Sequence, residues 1–136
     1  MNTNPSCHSL RVFLVEDSIQ VRRQLVALVG TIGGVEIVGE ADDSSSALRG
    51  IEASRADVAM VDLHLKESRG MDVIKRLAGG SRPVITIVLT NHATQPVREA
   101  CLSAGANHFF DKTSEFGLAL DTIATLARQR LAGSME

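Results

Sequence analysis

Acidic residues and a lysine stand just beyond strand-length apolar runs in this sequence. Glu16 and Asp17 follow one such run, and Asp62 follows another. Lys112 stands two residues beyond Phe110, which ends a third. In an open sheet of parallel strands, ligands bind outside the carboxyl ends of the strands, where the strand order reverses. Carboxylates suit Mg²⁺ and a lysine suits phosphoryl oxygens, so these residues predict a metal and phosphate site.

The size and composition of the chain fit one compact domain. It has 136 residues, 44% hydrophobic and 22% charged, which is enough apolar surface for a core. The net charge of −2 provides no basic field to attract nucleic acid, so no direct nucleic-acid contact is expected. No apolar stretch approaches the roughly 20 residues that cross a bilayer, and no signal sequence is recognisable, which predicts a cytoplasmic protein without membrane contact. Cys7 and Cys101 are predicted to be free thiols.

Apolar runs of strand length alternate along the chain with segments whose apolar residues recur at helical spacing. This alternation is typical of an α/β protein with helices on both faces of a parallel sheet. The runs are mostly continuous rather than alternating, which indicates strands buried on both faces. The predicted strands are 11–15, 36–40, 57–63, 84–89 and 108–110.

Capping residues and glycines mark the ends of the helices. Leu28 and Ala100 belong to apolar stripes that are predicted to face the sheet. Gly50 lies inside the second helix, where glycine lowers the helix propensity, and Gly133 is predicted to end the last helix. The five helices are predicted to start after Ser18, within Asp42-Asp43-Ser44, after Gly70, near Pro96 and around Ser114.

For strand order 2-1-3-4-5, Glu16 and Asp17 would face Asp62 across the crevice between strands one and three. Three carboxylates held close together call for a cation, and Mg²⁺ is the expected one. Thr90 and Lys112 would line the same edge. An ionised aspartate can attack phosphorus when a metal and a lysine neutralise the equatorial oxygens, which makes Asp62 the predicted nucleophile. The alternative is that these acids only cap loops and helix N-termini.

Four motifs surround the predicted site. They are Val12-Phe13-Leu14-Val15-Glu16-Asp17-Ser18, Val61-Asp62-Leu63 with Gly70, Val88-Leu89-Thr90, and Gly105-Ala106 leading to Phe109 and Lys112. Together, over residues 9–130, they resemble the receiver domain of bacterial two-component response regulators. The resemblance implies a flavodoxin-like (βα)5 three-layer sandwich, with a parallel five-stranded sheet in the order 2-1-3-4-5. The expected domain spans residues 9–131, between tails at 1–8 and 132–136.

The resemblance also implies a role for each site residue. Asp62 would accept a phosphoryl group from a histidine kinase or a histidine phosphotransfer protein. Mg²⁺ would be held by Asp17, Asp62 and the backbone carbonyl of His64, with Glu16 acting through water. Thr90 and Phe109 would switch conformation on phosphorylation and reshape the surface that binds a downstream protein. Phe109 could equally be an ordinary core residue.

The sequence departs from the commonest family pattern near the site. Lys66 stands in the loop after Asp62 where proline is frequent, and Thr113 follows Lys112 where a cis-bonded proline is usual. Asn91 replaces a small residue, which would narrow access to the phosphoryl site. His64 and His92 lie at positions that influence loss of the phosphoryl group, and they are expected to tune its lifetime in a pH-dependent manner. The alternative is that both histidines are solvated loop residues.

These observations favour a single-domain response regulator that catalyses only its own phosphorylation and dephosphorylation, as a monomer or a phosphorylation-dependent dimer. Arg22 and Arg23 resemble the surface that docks the kinase, although they also fit a solvated charged face. A phosphate sink and an inactive receiver-like module remain as alternatives. An aspartate-nucleophile phosphatase is disfavoured because His64 stands where such enzymes carry a second aspartate. A fragment of a DNA-binding regulator would require a further basic helical domain.

Overall fold

Strands and helices alternate along the chain in the computed structural model, which describes residues 9–134. The strands build one five-stranded sheet in the order β2-β1-β3-β6-β7, in which every neighbouring pair is parallel. This is the predicted order, because β6 and β7 are the fourth and fifth strands of the sheet. The elements are β1 (Leu10–Val15), α1 (Ile19–Val29), β2 (Val35–Ala41), α2 (Ser44–Ser54), β3 (Val58–Val61), β4 (His64–Leu65), β5 (Ser68–Arg69), α3 (Gly70–Ala78), β6 (Ile85–Thr90), α4 (Gln95–Ala104), β7 (His108–Asp111) and α5 (Phe116–Ser134).

The register of the central strands brings their carboxyl ends to one level. Val15 at the end of β1 pairs with Val61 at the end of β3, and Val61 pairs with Val88 in β6. Thr90, at the end of β6, pairs with Asp111 at the end of β7. The residues that follow these strands therefore meet at one edge of the sheet, as the sequence predicts.

Side-chain caps define three of the helix starts. The Ser18 hydroxyl accepts a hydrogen bond from the N–H of Val21 at the start of α1, and the Thr94 hydroxyl caps α4 in the same way. The Asp43 carboxylate accepts from the N–H of Ser46 at 2.7 Å. This backbone hydrogen bond lowers the pKa of Asp43, so the cap is ionised at neutral pH. The predicted starts of these helices are confirmed to within one residue.

The helices cover both faces of the sheet and form the predicted three layers. On one face, α1 and α5 contribute Leu25 and Ile123 to a core with Val12 and Met60. On the other face, α2 and α3 pack against β1 and β3, and α4 packs against β6 and β7 through the fully buried Cys101. Cys101 is a free thiol, as predicted, and Cys7 lies outside the described residues.

A packing contact explains why a glycine occupies position 50, inside α2. A Cβ placed on Gly50 would lie 2.5 Å from the ring of Phe13, and a Cβ on Gly39 of β2 would lie equally close to the same ring. Phe13 is only 3% exposed, so its ring fills the space that two side chains would otherwise occupy. Gly50 therefore lowers the helix propensity of α2 but makes room for a core aromatic residue.

The structure corrects several predicted boundaries and contacts. Leu28 and Ala100 are exposed rather than buried. The third strand is shorter than predicted, at Val58–Val61, and the helix α5 continues to Ser134, one residue past Gly133. The predicted C-terminal tail thus overlaps the last turn of α5, and residues 1–8 lie outside the described range. No helix among residues 9–134 is both long and apolar enough to cross a bilayer.

The observed start of α5 differs from the predicted one because of local hydrogen bonds. It was predicted near Ser114, but the helix begins at Phe116. The Asp111 carboxylate accepts hydrogen bonds from the N–H groups of Thr113 and Ser114, and these bonds lower its pKa. The Glu115 carboxylate in turn accepts from the N–H of Asp111 at 2.9 Å. These local bonds hold a turn between β7 and α5 in place of a first helical turn.

Candidate functional site

Three carboxylates meet at the carboxyl edge of the sheet. Glu16 and Asp17 follow β1, and Asp62 follows β3, the strand beside it. One carboxylate oxygen from each residue lies within 4.8 Å of the others, a spacing at which a single metal ion can be held. Glu16 and Asp62 are buried, at 2% and 9% exposure, while Asp17 is exposed. The predicted meeting of these three side chains is thus observed.

Lys112 reaches this cluster from the loop after β7. Its Nζ donates hydrogen bonds to Glu16 Oε1 at 2.8 Å and to Asp62 Oδ2 at 3.0 Å. Burial raises the pKa of Glu16, and the hydrogen bond from Lys112 offsets part of that effect. Burial alone would lower the pKa of Lys112, but its hydrogen bonds to Glu16 and Asp62 raise it overall. Lys112 therefore carries its positive charge at neutral pH, between the two buried acids.

The two carboxylate oxygens of Glu16 are both engaged. Oε1 accepts from Lys112, and Oε2 accepts from the N–H of Ser18 at 3.1 Å. Asp62 also accepts at both oxygens, from Lys112 at Oδ2 and from the N–H of His64 at Oδ1, although the second bond is long at 3.3 Å. Asp17 is the exposed member of the cluster and is thus the carboxylate most open to a metal ion.

A close backbone contact positions the loop that carries Asp62. A Cβ on Gly70 would overlap the carbonyl oxygen of Asp62, so only glycine fits there. The N–H of Gly70 donates to the carbonyl of Leu63 at 2.9 Å. Between these residues the chain forms the hairpin β4–β5, in which the N–H of Lys66 donates to the carbonyl of Asp42. This hairpin, which was not predicted, ties the Asp62 loop to the start of α2.

Thr90 and Phe109 lie on neighbouring strands, since Thr90 ends β6 and Phe109 is the second residue of β7. Thr90 is fully buried, and its hydroxyl accepts a hydrogen bond from the N–H of His92 at 3.1 Å. Phe109 is 4% exposed and packs with Val88 and Cys101. The guanidinium carbon of Arg98 lies 5.8 Å from the centre of the Phe109 ring. The ring is therefore inside the core, and its role as a switch stays a prediction.

The remaining predicted residues surround the mouth of the site. The hydroxyl of Thr113 donates to the side-chain oxygen of Asn91 at 3.3 Å, which joins the loops after β6 and β7. No cis peptide bond occurs among residues 9–134, so the bond between Lys112 and Thr113 is trans. The imidazole rings of His64 and His92 lie 4.0 Å apart between their centres. Both histidines are exposed, as expected of residues at the mouth, and their contact was not predicted.

The family comparison agrees with this geometry. The family model described as Response regulator receiver domain matches residues 12–124. The chain therefore belongs to the response regulator receiver family, the phosphoacceptor domains of two-component systems. Phosphorylation and Mg²⁺ binding are typical of this family.

Individual relatives include longer proteins. The chain is 32% identical over 140 residues to a protein-glutamate methylesterase/protein-glutamine glutaminase 2 of Koribacter versatilis, covering 98% of this chain and 37% of that protein. It is 31% identical over 103 residues to the DNA-binding transcriptional activator DevR/DosR of Mycobacterium tuberculosis, covering 76% of this chain and 48% of that protein. The chain thus spans less than half the length of either relative.

A solved receiver domain has the same fold. The signal receiver domain of the response regulator NarL from Mycobacterium tuberculosis superposes with a TM-score of 0.81 at 27% identity. The alignment covers 88% of this chain and 97% of that domain. The receiver fold expected from the motifs is confirmed.

Proposed function

We propose that Asp62 is the phosphoacceptor of this receiver domain and that its phosphorylation depends on Mg²⁺. The observation that carries the proposal is the placement of Lys112, whose Nζ lies 3.0 Å from Asp62 Oδ2 beside the three-carboxylate cluster. A carboxylate next to a fixed cation and a metal-holding group has the surroundings that phosphoryl transfer needs, because that reaction depends on positioning and charge stabilisation. Thr90 would contact the phosphoryl oxygens from β6.

The donor set fits Mg²⁺. Three carboxylates supply hard oxygen ligands, and Mg²⁺ usually keeps several waters beside one or two carboxylates. Asp17, Asp62 and the backbone carbonyl of His64 would hold the ion, and Glu16 would act through water. When bound, the ion would neutralise charge on the phosphoryl oxygens. Lys112 would supply a second positive charge on the side of Glu16.

The phosphodonor would be a histidine kinase or a histidine phosphotransfer protein. An apolar cavity of about 550 Å³ lies between α1 and α5, beside Lys112, and Leu28 and Phe116 are among its lining residues. Ile19, near the site on α1, is 57% exposed. We infer that a helical donor domain docks here. Arg22 is hydrogen-bonded to the Glu16 carbonyl and to Glu40, whereas Arg23 is exposed and has no hydrogen bond or ion pair from its side chain within residues 9–134, so Arg23 would meet the donor.

The output of the protein would be a change in protein binding rather than catalysis on another substrate. Phosphorylation would act on Thr90 and Phe109, and through them on the surface of α4, β7 and α5. In this proposal the receiver acts as a single cytoplasmic domain, a monomer or a phosphorylation-dependent dimer, without direct contact to nucleic acid. A phosphate sink uses the same residues and differs only in having no downstream partner.

The central test is Asp62-dependent modification. Incubation with acetyl phosphate and Mg²⁺ is expected to add the mass of one phosphoryl group to the wild-type protein, read by intact mass spectrometry. Asp62→Asn should remove the adduct, and Asp17→Asn should raise the Mg²⁺ concentration needed for it. Asp121→Asn is the matched control, because Asp121 is exposed on α5. An adduct of wild-type yield on Asp62→Asn would overturn the assignment.

The two histidines at the mouth provide a further prediction. The rings of His64 and His92 are in contact next to Asp62 and Thr90, so if they limit the access of water, His64→Ala and His92→Ala should each speed loss of the phosphoryl group several-fold. The decay is followed by mass spectrometry after the phosphodonor is removed, across the pH range in which histidine titrates. His108→Ala is the control, because His108 begins β7 and its ring stacks on Phe110. Unchanged decay rates and pH profiles in both variants would show that the histidines are ordinary loop residues.

A further inference from the structure

Two histidines from separate loops touch above the acidic cluster. The rings of His64 and His92 are 4.0 Å apart between centroids and inclined by 47°. His64 begins β4, and its N–H donates to Asp62 Oδ1. His92 follows β6, and its N–H donates to the hydroxyl of Thr90. The ring contact therefore connects two segments of the chain. Each segment is hydrogen-bonded through its backbone N–H to a residue of the site, Asp62 or Thr90.

The ring nitrogens of this pair have no partner among residues 9–134. The hydrogen bonds of His64 and His92 in that range all involve backbone atoms, and the ring contact is the one interaction of their side chains. Both residues are exposed. Imidazole is the commonest protein ligand for metals and suits Zn²⁺, Cu²⁺ and Ni²⁺, whereas Mg²⁺ prefers oxygen.

The spacing of the rings is close to that of joint coordination. With a Zn–N distance of about 2.0–2.1 Å, two imidazoles on one tetrahedral ion have centroids roughly 5 Å apart. The observed separation of 4.0 Å is about 1 Å shorter, so the rings would move apart and each would turn one nitrogen toward the ion. The acids Glu16, Asp17 and Asp62 lie in the same crevice and add an attractive field for cations, which the charge of Lys112 reduces but does not cancel.

We propose that His64 and His92 form a two-histidine site for a zinc-class transition-metal ion, separate from the carboxylate site for Mg²⁺. Water fills the remaining coordination positions. The bound ion ties β4 to the loop after β6 and closes the mouth above Asp62. The binding stands on the histidine geometry alone, whereas its consequence, slower phosphorylation of Asp62, rests on the proposed function.

The binding test uses Zn²⁺ as the probe, in excess Mg²⁺ to occupy the carboxylates. Calorimetric titration of the wild-type protein should show one Zn²⁺ site, and His64→Ala and His92→Ala should each weaken it at least tenfold. His108→Ala and His8→Ala should bind Zn²⁺ as the wild type does, and Asp17→Asn should weaken the binding by no more than a few-fold, through the loss of one nearby negative charge. Zinc binding that survives the loss of both His64 and His92, or that is lost in Asp17→Asn or His8→Ala, would overturn the proposal.

A spectroscopic readout keeps the test valid if a variant is destabilised. Cu²⁺ bound to the wild-type protein should show hyperfine coupling to two imidazole nitrogens in its electron paramagnetic resonance spectrum. One coupled nitrogen should remain in His64→Gln or His92→Gln. A wild-type spectrum with oxygen ligands only would place the ion on the carboxylates and refute the histidine site.

A phosphorylation assay with Zn²⁺ distinguishes the proposed histidine metal site from the proposed phosphoacceptor role of Asp62. Zn²⁺ at a saturating concentration should slow acetyl phosphate-driven modification of the wild-type protein at least fivefold, and should leave the rate of His64→Ala unchanged. Equal inhibition of both proteins would refute closure of the mouth. Absence of an Asp62 adduct without Zn²⁺ would instead refute the phosphoacceptor role and leave the metal site to be judged on binding.

Discussion

Replacing Lys112 by methionine is expected to slow the acetyl phosphate-driven modification of Asp62 by about 10²–10³-fold, the usual effect of removing one preorganised charge-stabilising donor. The Nζ of Lys112 lies between Glu16 and Asp62, at 2.8 and 3.0 Å, so its charge is already positioned beside the carboxylate that is proposed to react. Methionine keeps most of the side-chain volume and removes the charge. The initial rate of adduct formation, measured at saturating Mg²⁺ by mass spectrometry, gives the effect.

Two control measurements test whether the slower modification of Lys112→Met comes from losing a positive charge in general or from weaker Mg²⁺ binding. Lys75→Met removes a positive charge from the exposed surface of α3 and should leave the rate unchanged. Mg²⁺ affinity of Lys112→Met should not fall, because losing a cation makes the carboxylate cluster more negative. The chain has no tryptophan, so Mg²⁺ binding is measured by calorimetry. A rate within twofold of the wild type would show that Lys112 is only a structural ion-pair partner of Glu16.

The composition of the site was predictable because it depends on strand order and strand ends. Glu16, Asp17 and Asp62 follow strands that pair directly, and parallel pairing brings the ends of such strands to the same edge. Lys112 follows β7, three strands away from β1, and its Nζ nevertheless lies 2.8 Å from Glu16 Oε1. The alternation of apolar runs with helical stripes was therefore enough to place the acids and the lysine together.

Other features depend on contacts between loops, which leave no periodic signal in the sequence. The hairpin β4–β5 has only two residues in each strand, and it is bonded to the start of α2 through Lys66. The contact between His64 and His92 requires the positions of two separate loops. Leu28 was predicted to be buried because it continues an apolar stripe, but it lies at the rim of a cavity beside α5. A helical stripe shows which face is apolar and does not show where the neighbouring helix ends.

Gly50 shows how tertiary packing can reverse a rule of local structure. Glycine inside a helix ordinarily costs up to about 1 kcal/mol relative to alanine, which would make Gly50→Ala stabilising. In this fold the added Cβ would lie 2.5 Å from the Phe13 ring, and the ring has little room to shift because it also packs over Gly39, where an added Cβ would lie at the same distance. Overpacking of this kind costs about 1–3 kcal/mol. Gly50→Ala is therefore expected to lower the free energy of unfolding by up to about 2 kcal/mol once the helix gain is subtracted.

Urea unfolding of a small set of variants tests this packing argument. Gly117→Ala is the matched control in α5, because nothing lies within 4 Å of its added Cβ, and it should be neutral or stabilising by up to about 1 kcal/mol. In a Phe13→Leu background the ring is absent, so Gly50→Ala should lose its penalty and become stabilising. The resulting double-mutant cycle should show a coupling energy of about 1–3 kcal/mol between Phe13 and Gly50. Equal effects of Gly50→Ala in both backgrounds would mean that the helix tolerates the methyl group and that the ring does not select glycine at this position.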